Sequence, residues 1–114
     1  MHMKRIIAIV RPEKLEPLKS ALFSADVGGM TISQVNGCGN QHGWKEYYRG
    51  NEVLLNMVPK VKFEMVTDDE DVDRIVDVIL ESAHTGEVGD GKIFISPVEE
   101  VVRIRTGERG SDAV

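Results

Sequence analysis

The chain has 114 residues, of which 41% are hydrophobic and 29% charged, and its formal net charge at pH 7 is −5. This length fits a single domain over residues 1–114, with a core modest enough that self-association is expected to add stability. The acidic balance argues against a nucleic-acid binder, which needs a basic face to release counterions from phosphates.

The sequence carries little that suggests export, a membrane span or a structural metal. Cys38 is the only cysteine, which excludes an intramolecular disulfide and disfavours a structural zinc site. Charged residues interrupt the N-terminus, and no apolar run approaches the roughly 20 residues that span a bilayer. We therefore expect a cytoplasmic protein.

The first part of the chain predicts a strand and then a helix. The β-branched run at residues 4–10 predicts a buried strand that stops before Pro12, because proline cannot continue a central ladder. Leucines then recur at helical spacing, at Leu15, Leu18 and Leu22. Pro12 suits the first turn of that helix, and the glycine pair at 28–29 is expected to end the unit.

Two alternating segments, 30–35 and 61–66, predict half-buried strands. The second would place Val61, Phe63 and Met65 on one face. The stretch between them is rich in glycine and polar residues and is far longer than a hairpin turn requires. We expect a functional loop over about residues 37–58.

The last part of the chain predicts a helix and two strands. The acidic run 68–71 is interpreted as helix capping in preference to metal binding. An apolar stripe at helical spacing follows it, formed by Val72, Ile75, Val76, Ile79 and Ala83. Residues 92–96 predict a strand, and 101–104 a further short one.

This order of elements predicts an α+β fold of the ferredoxin-like βαββαβ type, with two helices on one face of an antiparallel sheet. The other face of the sheet is expected to be apolar and to be covered by subunit packing.

Residues 86–92 match the spacing G-x-x-x-x-G-K of a phosphate-binding P-loop, with two departures. Ile93 replaces the Ser or Thr that would hold Mg²⁺, and the segment runs from helix to strand. The glycines can still turn several backbone N–H groups toward an anion, with Lys92 beside them. A plain glycine-rich turn with one surface lysine is the alternative.

Arg103 and Arg105 are expected to project to one side of an extended segment, where two guanidinium groups suit a polyphosphate. A charged edge strand that discourages aggregation is the other interpretation. His42 and His84 lack metal-ligand partners at suitable spacing. Nothing in the sequence forms a catalytic constellation.

Three stretches resemble the PII signal transduction proteins, a nitrogen regulatory family, over nearly the whole chain. Val35 to Gln41 followed by Glu46 to Gly50 resembles the T-loop, which would span about 37–58. Thr85 to Phe94 resembles the B-loop, at about 84–92, and Arg103 to Glu108 the C-loop, at about 103–110.

The resemblance implies a homotrimer with nucleotide sites in the clefts between subunits and with ATP or ADP as ligand. The implied nucleotide-binding residues are Thr31, Gly37, Cys38, Gly39, Thr85, Gly86, Gly89, Asp90, Gly91, Lys92, Arg103 and Arg105. Gln41 would hold Mg²⁺ when 2-oxoglutarate joins ATP, and Lys60 would pair with a 2-oxoglutarate carboxylate.

The implied output is binding or release of a target through the loop, typically an ammonium transporter, with other nitrogen-metabolism regulators as further targets. Membrane association would arise only through the transporter. The partner-binding residues would be Trp44, Tyr47, Tyr48 and Arg49. The loop aromatics would serve equally well if the loop folded onto its own body.

Several positions depart from the family pattern. Val53 stands in place of a tyrosine that is often uridylylated, and Asn51 in place of a serine that is phosphorylated in some relatives. We therefore predict no covalent switch at either position, with Tyr47 and Tyr48 as the remaining candidates. Asn40 and Glu87 replace residues that are commonly basic.

Two other functional classes fit the same sequence. One is an enzyme that slowly hydrolyses ATP at the phosphate cleft, although no catalytic base is apparent. The other is a nucleotide-independent trimer of the same fold, such as a metal-tolerance protein, which would leave the 86–92 and 103–105 segments unexplained.

Overall fold

The structure is a computed structural model that describes residues 2–38, 45–48, 51–54 and 57–114. In these segments the helices and strands follow in the order β1 (Met3–Val10), α1 (Leu15–Ser24), β2 (Thr31–Cys38), β3 (Lys45–Tyr48), β4 (Asn51–Leu54), β5 (Met57–Asp68), α2 (Val72–Ala83) and β6 (Lys92–Val98). Short 3₁₀ turns lie at Pro12–Lys14, Asp69–Asp71 and Gly110–Ala113. Neither α-helix of the described part is long and apolar enough to cross a membrane.

Four strands form one antiparallel sheet in the order β2-β5-β1-β6. Strand β1 is central, pairing Ala8 with Phe63 of β5 on one side and with Ile93 of β6 on the other. Helices α1 and α2 contribute to a single core with this sheet. The predicted α+β ferredoxin-like arrangement is confirmed.

The core lies between the helices and one face of the sheet. The alternating residues Val61, Phe63 and Met65 are buried, as their period predicted. Leu18 and Leu22 of α1 meet Ile75 and Ile79 of α2 in the same cluster. Burying each of these side chains stabilises the fold by about 1.5–3 kcal/mol relative to leaving it exposed.

The strands that flank the long connection extend further than their sequence pattern predicts. β2 and β5 remain paired through Gly37 with Val58 and Cys38 with Met57. Pro59 is tolerated in this extension because β1 ends at the Val10–Val61 pair, so β5 has only β2 beside it there. The predicted loop over 37–58 therefore starts and ends in paired strand, and it carries the β3–β4 hairpin between them.

Helix α1 ends earlier than the glycine pair at 28–29. Asp26 has a φ of 65°, and it closes a Schellman motif in which the Val27 N–H donates to the Leu22 carbonyl (3.0 Å) and the Asp26 N–H to the Phe23 carbonyl (3.1 Å). The prediction was wrong about the residue, because a short polar side chain also tolerates the left-handed conformation.

The sheet face away from the helices is mixed rather than apolar. Strand alternation places Ile7 and Phe94 on this face together with Arg5, Lys62 and Glu64. Arg5 and Glu64 approach within 4.0 Å. The expectation of an apolar second face was therefore wrong, because charged residues share the outward positions of β1 and β5 with apolar ones.

Candidate functional site

The carboxylate of Asp90 organises the loop at residues 85–91, which we call the glycine loop. Its Oδ2 accepts hydrogen bonds from the backbone N–H groups of Thr85 (2.8 Å) and Gly86 (2.9 Å). Its Oδ1 accepts from the Thr85 hydroxyl and from Arg11 Nε at 3.0 Å. One side chain thus closes the loop on itself and ties it to the end of β1.

These donors hold the pKa of Asp90 well below its ordinary value. The hydrogen bond from the Thr85 hydroxyl contributes most, followed by those from the Thr85 backbone, Arg11 and the Gly86 backbone. Asp90 is therefore ionised throughout the physiological pH range. With both oxygens accepting twice, it serves as a structural acceptor and is poorly suited to act as a general base.

The glycine loop lies directly against strand β1. Gly91 has a φ of 98°, and a Cβ built on it would lie 1.7 Å from the carbonyl oxygen of Ile9. A side chain at this position would push the loop off the sheet. Glycine is therefore required at position 91 for two reasons: its backbone has a positive φ, and it packs against the Ile9 carbonyl with no room for a side chain.

The backbone N–H groups of the loop divide into two sets. Those of Thr85 and Gly86 donate to Asp90, and that of Glu87 donates to the Thr85 hydroxyl at 3.1 Å. The first three amides of the loop thus stabilise its own shape. If loop amides bind an anion, as predicted, they are those of residues 88–91.

Three predicted ligand-binding residues lie beside the loop. Lys60, in β5, donates from Nζ to the carbonyl oxygen of Gly89. A Cβ built on Gly37, in β2, would lie 3.1 Å from Cγ of Lys60. Lys92 follows the loop directly and pairs with Ile9 at the start of β6. The structure therefore brings Gly37, Lys60, Lys92 and the glycine loop together, and Cys38 is the next residue of β2.

Thr31 lies elsewhere in the same chain. It pairs with Glu64, six positions along β2 from Gly37, which corresponds to about 20 Å of extended strand. Thr31 and Gly37 therefore mark opposite ends of β2 instead of one shared pocket within a subunit.

Arg103 and Arg105 are not on a strand, contrary to the prediction for residues 101–104. An isolated bridge joins Val102 to Arg109, and the chain turns between them, with the Gly107 N–H donating to the Arg103 carbonyl at 2.7 Å. Gly107 has a φ of 72°, which residue alternation cannot reveal. The two arginines are therefore on a tight turn, and the Arg103 guanidinium pairs with Glu108 at 3.1 Å.

The base of this arginine turn lies at the far end of the sheet from the glycine loop. The Ser111 hydroxyl donates to Asp68 at 3.0 Å, and Asp68 pairs with Met3, whereas the glycine loop meets the sheet near Ile9. No hydrogen bond or ion pair among the described residues joins Arg103 or Arg105 to the glycine loop.

Several predicted residues lie outside the described residues: Gly39, Gln41, Trp44, Arg49 and His42. Tyr47 and Tyr48 lie on β3, where they pair with Glu52 and Asn51 of β4. His84 follows the last residue of α2. Within the described part of the chain, no group of three or more His, Cys, Asp or Glu side chains is arranged to hold a metal ion.

Sequence reasoning missed Arg11 and one cleft. Arg11 contacts the loop across 79 positions of sequence, and its only local signal is a basic residue between a buried strand and a proline. The cleft, of about 320 Å³, lies between the end of α2 and the start of β6. Its wall includes Asp90, Gly91 and Lys92 together with Leu80 and His84.

Comparison with known proteins is consistent with this fold. The family model described as nitrogen regulatory protein P-II matches residues 3–108. The chain is 57% identical to nitrogen regulatory protein P-II 2 of Methanothermobacter thermautotrophicus, covering 100% of this chain and 99% of that protein. It is 54% identical to nitrogen regulatory protein P-II of Nostoc punctiforme, covering 98% of this chain and all of that protein.

A solved structure gives the same result. The crystal structure of Arabidopsis thaliana PII bound to citrate matches with a TM-score of 0.81 and 39% sequence identity. The match covers 99% of this chain and 92% of the plant chain.

Proposed function

The chain belongs to the P-II family of nitrogen regulatory proteins, and we propose that it senses ATP, ADP and 2-oxoglutarate. The signal would pass to a target protein through the connection at residues 37–58. The observation that carries this proposal is the glycine loop, closed by Asp90 and flanked by Lys60 and Lys92. Such a loop offers backbone N–H groups and positive charge to a phosphate chain.

The residues present fit a nucleotide. Gly91 has no side chain to obstruct a ligand, and its backbone packs closely against β1. The sheet therefore supports the loop whose backbone N–H groups at residues 88–91 would bind phosphate. Lys92 supplies a point charge at the end of the loop. Because Asp90 accepts four hydrogen bonds within the protein, its charge is already compensated before a polyanion binds.

A second copy of the chain completes the site in this proposal. Arg103, Arg105 and Thr31 belong to the predicted nucleotide set, yet within one subunit the base of the arginine turn and Thr31 lie away from the glycine loop. A homotrimer with ligand clefts between subunits would allow the turn of one subunit to reach the glycine loop of the next. Ile104, which is 100% exposed between the two arginines, would also gain cover from a neighbour.

The second proposed effector is 2-oxoglutarate. Lys60 is the residue that would pair with one of its carboxylates, and Gln41 would hold Mg²⁺ when 2-oxoglutarate joins ATP. The related plant protein is described as bound to citrate. Citrate, like 2-oxoglutarate, carries several carboxylates, which supports a carboxylate effector for a protein of this fold.

Coupling to the target would follow from the strands that hold the site. Gly37 and Lys60 lie on β2 and β5, the same two strands that lead into the β3–β4 hairpin. Ligands that prefer one arrangement of these strand ends shift the population of loop conformations. Trp44, Tyr47, Tyr48 and Arg49 would then present or withdraw a contact surface for a target such as an ammonium transporter.

Calorimetric titration with ATP and ADP tests the nucleotide proposal. Wild-type protein is expected to bind both, and Lys92→Ala to bind ATP roughly ten- to hundredfold more weakly, as for loss of one charged hydrogen bond. Lys19→Ala, on the outer surface of α1, is the matched control and should bind as wild type. Equal ATP affinity in Lys92→Ala and wild type would exclude Lys92 from the site and would contradict the proposed phosphate contact there.

A further inference from the structure

Arg11 joins the end of strand β1 to the glycine loop through two hydrogen bonds. Its Nε donates to Oδ1 of Asp90 at 3.0 Å, and its Nη2 donates to the carbonyl oxygen of Val88 at 2.8 Å. The side chains of Arg11 and Asp90 are each only 23% exposed. This ion pair is therefore screened less by solvent than the outer pairs of the protein.

We propose that Arg11 is a positioning residue for nucleotide binding, acting through Asp90 and Val88 to hold the glycine loop in the shape that receives phosphate. The proposal rests on the proposed nucleotide function. It assigns Arg11 a role in the loop and no contact with the nucleotide.

The geometry favours a positioning role for the pair. Asp90 receives hydrogen bonds from Arg11, Thr85 and Gly86, so its roughly four acceptor positions are filled by the protein itself. The Arg11 guanidinium group is engaged by that carboxylate and by the backbone carbonyl of Val88. The Arg11 guanidinium and the Asp90 carboxylate therefore both form contacts that hold the loop.

Arg11 is itself held by a rigid element. It follows the last residue of β1, one of the two inner strands of the sheet. Its carbonyl oxygen accepts a hydrogen bond from the Lys14 N–H at 3.0 Å, and Pro12 fixes the backbone next to it. Arg11 thus ties the loop to the end of β1, and Lys60 ties Gly89 of the same loop to β5.

The fork of the guanidinium group explains why arginine suits this position. It reaches a carboxylate and a carbonyl simultaneously, whereas a lysine ammonium is a single point. Arg11→Lys should keep the charge near Asp90 and lose the second contact. We expect ATP affinity to decrease in the order wild type, Arg11→Lys, Arg11→Met.

Two measurements test the proposal. The first is amide hydrogen exchange without nucleotide. In Arg11→Met the Thr85 and Gly86 amides should exchange faster, while the Ile6 and Phe63 amides of the core stay protected. Arg74→Met is the matched control, because Arg74 also bridges a carbonyl and a carboxylate, those of Ala25 and Asp71, but lies away from the loop. Unchanged exchange at Thr85 and Gly86 in Arg11→Met would overturn the proposal.

The second measurement is a double-mutant cycle on ATP affinity with Arg11→Met, Asp90→Asn and the double variant. Each single change should weaken ATP binding roughly tenfold, and the double variant should be no weaker than the weaker single variant. Additive losses would show that Arg11 acts on ATP binding independently of Asp90 and would overturn the positioning role. If wild-type protein bound no ATP, the proposed function would fail, while the exchange data would still decide whether Arg11 holds the loop.

Discussion

Lys60 Nζ donates a hydrogen bond to the carbonyl oxygen of Gly89, so strand β5 and the glycine loop are tied together across 29 positions of sequence. The proposed 2-oxoglutarate lysine is therefore engaged with the proposed phosphate loop. A carboxylate that pairs with Lys60 must share or replace this contact. Binding of the second effector is thereby linked to the conformation of the loop that receives the first.

Replacing Lys60 should separate the two effectors. Lys60→Met is expected to weaken 2-oxoglutarate binding in the presence of Mg-ATP by at least roughly tenfold, because a charged hydrogen bond is lost. ATP binding should weaken less, since Asp90 and Arg11 still hold the loop. Calorimetry on Lys62→Met, two positions along β5 on the same face, provides the control. Equal 2-oxoglutarate binding by Lys60→Met and wild type would exclude Lys60 from the effector site.

Mixing two inactive variants should restore nucleotide binding if each site combines two subunits. Lys92→Ala disables the glycine-loop side and Arg103→Ala the arginine turn, so in the proposed homotrimer each variant alone should bind ATP weakly. After denaturation and joint refolding, mixed trimers would contain some clefts with both wild-type residues. Titration of the mixture should recover a fraction of tight sites. Absence of any tight site, in a mixture shown by native mass spectrometry to contain mixed trimers, would contradict a shared cleft.

Gly91 should tolerate substitution far less than Gly107. An added Cβ at Gly91 would lie 1.7 Å from the Ile9 carbonyl oxygen, whereas at Gly107 nothing lies within 4 Å. Both have positive φ, so both alanine variants lose about 1–2 kcal/mol of conformational energy. Gly91→Ala should lose clearly more in urea unfolding, because the loop must also move away from β1. Equal losses in the two variants would show that the loop does not press on the strand.

The pH dependence of stability should carry the signature of Asp90. Its folded pKa is depressed by hydrogen bonds from Thr85, Arg11 and Gly86, so its stabilising contribution is fully present above the ordinary aspartate pKa of 3.8 and is lost as the pH falls toward the folded pKa. The difference in unfolding free energy between wild type and Asp90→Asn should be constant from pH 7 to pH 5 and should shrink below about pH 4. A constant difference down to pH 2.5 would indicate that the carboxylate is not held in this way.

The parts of the fold that depend on residue period could be predicted from the sequence. Alternation at Val61, Phe63 and Met65 identified the buried face of β5, and helical spacing identified Ile75 and Ile79. Contacts between distant residues could not be predicted, because no local pattern links Arg11 to Asp90 or Lys60 to Gly89.

Other errors have local physical causes. Alternating arginines at 103 and 105 indicated a strand, but the backbone turns there and Gly107 adopts a positive φ. Glycines at 28–29 indicated the helix end, but Asp26 ends the helix first. β5 starts at Met57, before the alternating residues 61–66, and its extension includes Pro59, a residue normally confined to edge strands.

Titration with 2-oxoglutarate in the presence and absence of Mg-ATP determines whether this protein senses the two effectors jointly. We expect binding heat only when Mg-ATP is present, because the carboxylate ligand would join a site that the nucleotide completes. We also expect tighter ATP binding when 2-oxoglutarate is present, as reciprocal coupling requires. Heat of equal size without nucleotide, or no heat with Mg-ATP bound, would contradict the joint sensing of energy and nitrogen status proposed for this chain.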